Sequence, residues 1–203
     1  ITNGGLLANT ATDATGNGVV GFGAGSSATL TVSGAGSTWS NAGDFFIAQS
    51  ATGTGSVTST NGGLITAKEF YVGFNGNGSL AVTNGGHVTN TAGGRIGQNA
   101  GSVGTATVDG AGSTWTSTGS MTVGFTGTGT LGVTNGGVVS SNLARIGNNV
   151  GGSGTVTVDG AGSAFNISGN LLVGNNGTGA LAVTQGGVAS SIDGRIGNKD
   201  RKS

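Results

Sequence analysis

The chain reads as an all-β protein, a parallel β-helix in which short strands stack coil upon coil. Three observations predict it. An apolar residue followed by Gly returns roughly every 25 residues along the whole length, the self-similarity of a solenoid. Between these points run period-two alternations such as Leu30-Thr31-Val32 and Val156-Thr157-Val158, the pattern of half-buried strands. Proline is absent while Gly makes up 47 of 203 residues, so no ladder donor is lost, and each Gly would weaken a helix by about 1 kcal/mol relative to Ala.

The repeat begins with its apolar-Gly step: Val20-Gly21, Val72-Gly73, Ile96-Gly97, Val123-Gly124, Ile146-Gly147, Val173-Gly174 and Ile196-Gly197, with Ile47-Ala48 filling the gap. Successive steps are 27, 25, 24, 27, 23, 27 and 23 residues, so from Ile96 onward the unit is a pair of coils spanning 50 residues. Arg95, Arg145 and Arg195 obey this double period, as do Asp109 and Asp159. Coils of three short strands stacked about 4.8 Å apart give seven to eight coils in a rod about 35 Å long. Residues 1–198 form one repeat domain, followed by a charged tail at 199–203. The chain opens at Ile1-Thr2-Asn3-Gly4-Gly5, in mid-repeat, and is expected to be an internal fragment of a longer protein.

The alternating strand comes next, at Leu30-Thr31-Val32, Leu80-Ala81-Val82, Ala106-Thr107-Val108, Leu131-Gly132-Val133, Val156-Thr157-Val158 and Leu181-Ala182-Val183. It ends in one of two corners. One reads Thr83-Asn84-Gly85-Gly86 and recurs at Thr2, Thr60 and Thr134, and with Gln185 for Asn at Thr184. The other reads Val108-Asp109-Gly110-Ala111-Gly112-Ser113-Thr114-Trp115 and recurs from Val32 to Trp39 and from Val158 to Phe165. Asn and Gly tolerate positive φ and Asp can bond backbone two residues on, so both sequences suit sharp bends. A third strand follows near Val88, Val138 and Val188. Trp39, Trp115 and Phe165 are expected as core anchors. Phe22, Phe74 and Phe125 stand two coils apart, with Gln49, Gln98 and Asn148 between them, and could stack bases or sugars; alternation instead predicts them as core residues, and Asn148, Asn175 and Asn198 as a stacked amide ladder.

Composition narrows the function classes. Only 14 residues are charged and the net charge is zero, so nothing favours electrostatic capture of nucleic acid or of an anionic membrane. Cysteine is absent, which removes disulfides and thiolate chemistry. No apolar run approaches the ~18 residues of a membrane-spanning helix.

The runs Gly127 to Gly137 (Gly-Thr-Gly-Thr-Leu-Gly-Val-Thr-Asn-Gly-Gly) and Gly154 to Ser163 (Gly-Thr-Val-Thr-Val-Asp-Gly-Ala-Gly-Ser) resemble the Gly-rich β-strand repeats of Gram-negative autotransporter passenger regions, in particular large surface adhesins. The resemblance covers essentially the whole chain. It implies a right-handed helix, secretion through the outer membrane, display at the cell surface, and a membrane barrel domain outside this fragment. It further implies a structural or adhesive role in virulence, without catalysis or cofactor, against host-cell surfaces, extracellular matrix or glycans.

Candidate contacts follow from the repeat. Arg95, Arg145 and Arg195 would form a sparse basic column whose guanidinium forks suit sulfated or carboxylated glycans, but the default expectation is that each stem lies over apolar surface with its head in water. Thr29/Thr31, Thr105/Thr107 and Thr155/Thr157 point outward, a flat hydroxyl surface of the kind an ice-binding solenoid presents. Asp109 and Asp159 are expected to form turns, since calcium needs six to eight oxygens. His87 is expected as a solvated loop residue. A polysaccharide-degrading enzyme is the catalytic alternative; it needs two acids about 5–9.5 Å apart, and no pair of the dispersed acids stands out in sequence. Self-association through the coil ends is expected at the Ile1 end, because Lys199-Asp200-Arg201-Lys202 guards the other.

Overall fold

The computed structural model describes residues 1–11 and 16–197. Asp13, Asn198 and the charged tail, on which some of these expectations fall, lie outside the described residues. The described residues form an all-β solenoid of parallel strands with no helix. Seven long strands make the first face: Ser27–Ser33, Thr54–Thr60, Asn77–Thr83, Val103–Asp109, Thr128–Thr134, Ser153–Asp159 and Thr178–Thr184. They count about seven coils, one of which, at Thr54–Thr60, has an alternation too polar to stand out in sequence.

The second and third faces share a 14-stranded sheet. In most coils they are separate strands, such as Thr114–Ser117 and Ser120–Val123. In two central coils a single strand, Leu64–Val72 or His87–Ile96, runs through both. A register shift between Ala67 and Glu69 marks the bend in the first of these.

The core is columnar because every strand pairs in parallel with the same position one coil away. Leu80, Ala106, Leu131 and Val156 are one inward column of the first face. Ile65, Val88, Trp115, Val139 and Phe165 are a column of the second. Ile47, Val72, Ile96, Val123, Ile146 and Val173 are a column of the third, and all are buried. Each such side chain contributes about 1.5–3 kcal/mol by leaving water. Trp39, Trp115 and Phe165 are buried anchors as expected. Trp115 also donates its indole N–H to Asn90 Oδ1 (2.9 Å), and Asn90 in turn donates to Ser117 Oγ (2.8 Å), so the polar atoms beside the ring are satisfied.

The corners explain the two motifs. In the Thr-Asn-Gly-Gly corner both central residues take positive φ, as at Asn84 (49°) and Gly85 (74°), and Gly86 N–H returns to Thr83 O at 2.9 Å. That is the mirror-image turn to which Asn-Gly is suited. A different constraint fixes the Gly in the first inward position of six of the seven long strands, Ala28 taking that place in the first. A Cβ on Gly129 would lie 2.4 Å from Ile96 O and from Gly124 N, because the end of the third face abuts the start of the first.

Asp109 does not bond its own turn. Its Oδ1 accepts from Thr134 Oγ1 and Asn135 Nδ2, both at 2.6 Å, in the next coil. Asp159 does the same with Thr184 Oγ1. The turn itself is closed by serine, Ser113 Oγ donating to Asp109 O at 2.6 Å. Asp is therefore a staple between the two corner types, which gives the 50-residue period a physical basis.

Two further expectations are corrected. Phe22, Phe74 and Phe125 are not core residues: Phe22 is 73% exposed, and the other two lie half-buried on the outer side of the third face. The positive-φ residue before each ring breaks the strand alternation on which the inward assignment depended. His87 is not in a solvated loop; it opens a strand, half-buried, with its Nδ1 2.8 Å from Thr114 Oγ1. Large apolar side chains are exposed at both ends of the described rod, Leu6 at one and Val183, Val188 and Ile196 at the other. The amide ladder is present at Asn175 Nδ2 to Asn148 Oδ1, 3.2 Å.

Candidate functional site

Outward residues of the first face form ranks along the rod. One rank reads Thr29, Ser56, Ser79, Thr105, Thr130, Thr155, Ala180, with a hydroxyl in every coil but the last. Its neighbour two residues on reads Thr31, Thr58, Ala81, Thr107, Gly132, Thr157, Ala182 and is interrupted. Thr105 and Thr155 are exposed, Thr107 and Thr157 half-buried. Ranks stand about 6.8 Å apart and coils about 4.8 Å apart. The surface is a grid of neutral donors and acceptors with no titratable group in either rank.

A second neutral surface lies where the second face turns into the third. A groove of about 430 Å³ is lined by Ser117, Thr118, Ser140, Asn142, Asn166 and Ser168, among others. It runs across several coils because each contributes a hydroxyl or amide at the same place. Ser190 Oγ donating to Asn166 Oδ1 at 3.1 Å shows such groups meeting between coils.

The arginines do share a column. Strand register places Tyr71, Arg95, Thr122, Arg145, Leu172 and Arg195 in line on the outer side of the third face. Their charge is largely spoken for. Arg195 pairs with Asp193 at 2.9 Å and Arg95 with Glu69 at 3.4 Å. Arg95 also lies between two rings, its guanidinium carbon 5.4 Å from the Tyr71 centroid and 5.6 Å from that of Phe125. The sparse basic column drawn from the 50-residue period is thus neutralised at both ends.

Around Arg95 the structure assembles a cluster that sequence spacing hides. Phe46 and Tyr71 stack in parallel with centroids 4.9 Å apart, and Phe74 meets both edge-on at 4.9 and 5.1 Å. Asp44 joins by accepting the Glu69 backbone N–H at 3.2 Å. Asp44 and Glu69 are 25 residues apart, so coil stacking makes them neighbours, and the signal was the coil length itself. Burial, with the Glu69 carboxylate beside it, pushes the Tyr71 phenol up to about 12 against the opposing pull of Arg95. A phenol held neutral in this way is a poor base at neutral pH, and the Glu69 carboxylate is engaged with a guanidinium. The cluster chiefly ties neighbouring coils together and supports aromatic rings at the surface.

Among the described residues no three His, Cys, Asp or Glu side chains group as a metal site. Comparison with family models, curated proteins and solved structures finds no match for the chain.

Proposed function

We propose that the chain is a stalk or adhesive segment of a secreted bacterial cell-surface protein of the autotransporter type, giving rigid length and repeated weak contact rather than turnover. The observation that carries this reading is the rank of hydroxyls repeated in register along the first face. A surface that presents nearly the same neutral group in each coil suits a partner that is itself repetitive, because weak contacts add when they are linked. Catalysis asks for the opposite, one concave cluster of tuned groups. The Gly-rich repeats that resemble autotransporter passenger regions supply the cellular setting: export through the outer membrane and contact with host cells, matrix or glycans.

The test is a binding screen of the isolated protein on a glycan array and on immobilised matrix proteins, beside an assay for polysaccharide cleavage. Binding that strengthens when the protein is clustered on a bead, without cleavage, is the expected result. Turnover of any polysaccharide, lost in Glu69→Gln, would replace the reading with an enzymatic one.

A second reading has one observation in its favour. The Thr29 to Thr155 rank is continuous over six coils, which favours an ordered-water or ice surface. Thermal hysteresis of the solution, abolished in Thr105→Leu with Thr155→Leu, is its test. The gaps at Ala81 and Gly132 in the neighbouring rank weigh against it.

A further inference from the structure

We propose that the ridge carrying Phe22, Gln49, Phe74, Gln98 and Phe125 is a binding track for a neutral polysaccharide lying along the rod axis. The proposal rests on the adhesive reading and names a ligand class for it. One position of the coil builds the ridge, the residue that follows the positive-φ corner at Gly21, Ala48, Gly73, Gly97 and Gly124. Ring and amide alternate there, so rings recur every second coil, about 9.6 Å apart. Backbone bonds hold the rank in line: Gln49 N–H to Gly21 O at 2.9 Å, Gln98 N–H to Gly73 O at 3.0 Å and Phe125 N–H to Gly97 O at 2.9 Å.

Three features fit a saccharide. First, two of the three rings are supported from behind. Phe74 rests edge-on against Phe46 and Tyr71, and Phe125 lies over the Arg95 guanidinium, so binding loses little side-chain freedom. Second, Gln49 Oε1 and Gln98 Oε1 are shielded and receive no donor among the described residues. An acceptor left so costs about 1–3 kcal/mol. A polyhydroxylated chain offers both complements, C–H faces for the rings and O–H donors for the amide oxygens, once the ridge side chains shift to admit it. Third, no excess of positive charge stands behind the ridge: Arg95 is paired with Glu69, and Asp44 adds a second carboxylate beside them. A polyanion therefore gains no steering here, which points to an uncharged chain.

The probe is a β-1,4-linked glucose hexasaccharide, whose equatorial hydroxyls leave both ring faces open for stacking. It is titrated into the 203-residue protein and followed by NMR at the phenyl and Gln side-chain amide signals, with affinity from calorimetry. Shifts are expected at Phe22, Phe74, Phe125, Gln49 and Gln98. Phe22→Ala, a change at an exposed ring, should weaken binding about tenfold, or ~1.4 kcal/mol, whereas Ile192→Ala, at an exposed residue away from the ridge, should leave it unchanged. Absence of shifts on the ridge at millimolar hexasaccharide, shifts confined to the Thr face, or tighter binding of heparin would each overturn the proposal. The two readings fail separately. Adhesion in the array and matrix screen that is indifferent to Phe22→Ala removes the ridge and keeps the adhesive role. Ridge shifts in a protein that adheres to nothing in that screen keep the ridge and remove the role.

Discussion

At the scale of the residue, side-chain direction decides what each position is worth. Trp115 is fully buried with its N–H bonded to Asn90. Trp115→Ala removes a large ring and orphans that acceptor, so a loss of ~3–5 kcal/mol is expected. Arg145→Ala, on the outer side of the third face, should change stability by less than ~0.5 kcal/mol. Urea melts of the two variants check the inside and outside assignment in one comparison. Tyr71 gives an optical test, because it is the chain's one tyrosine. Its phenolate absorbance should titrate at about 12 in the folded protein, against about 10 once urea has unfolded it. A group whose folded pKa is raised lends stability that is intact below the unfolded value and disappears as pH climbs through the folded one. The alkaline loss of stability should therefore run from pH ~10 to about 12. Trp115 was legible in sequence because it sits in a strand with simple alternation. Phe22, Phe74 and Phe125 were not, because a single positive-φ residue before each one resets the direction in which the next side chain points.

At the scale of the element, corners and strands are coupled from coil to coil. The carboxylate of Asp109 holds the next corner through Thr134 and Asn135, and those donors, the Thr134 hydroxyl first, keep its carboxyl below the usual carboxylate range. A depressed folded pKa contributes stability above the unfolded value of about 3.9 that is lost as pH falls through the lower folded value. In Asp109→Asn the acid-sensitive part of this contribution should vanish, so the urea midpoints of variant and parent should converge below about pH 4. Midpoints that stay equally far apart at every pH would mean that the staple does not act through its charge. The repeated Asp-Gly-Ala-Gly-Ser corner announced a turn in sequence. The staple across to Thr134 did not show, because it depends on how two coils of different corner type register. The same holds for Asp44, Glu69, Tyr71 and Arg95, whose meeting follows from stacking rather than from any local motif.

At the scale of the whole molecule, the fold was legible because one period writes both the core and the coil count, with the polar Thr54–Thr60 strand the one coil left blurred. The candidate surfaces were only half legible: the Thr ranks follow from alternation, whereas the aromatic ridge needs the corner geometry. A solenoid has nearest-neighbour energetics, so a whole number of coils can be removed without loss of the rest. Ile96 and Ile146 occupy equivalent places, and deleting residues 96 to 145 joins Arg95 to Ile146 in the native repeat. The measurement that bears most directly on a rod acting through repeated contact is bead adhesion of this two-coil deletion beside the parent, with length read by small-angle scattering. The account predicts a folded protein shorter by about 10 Å whose adhesion falls in proportion to the coils removed. A folded deletion whose adhesion disappears entirely, or remains undiminished, would place the activity in a single site and contradict it.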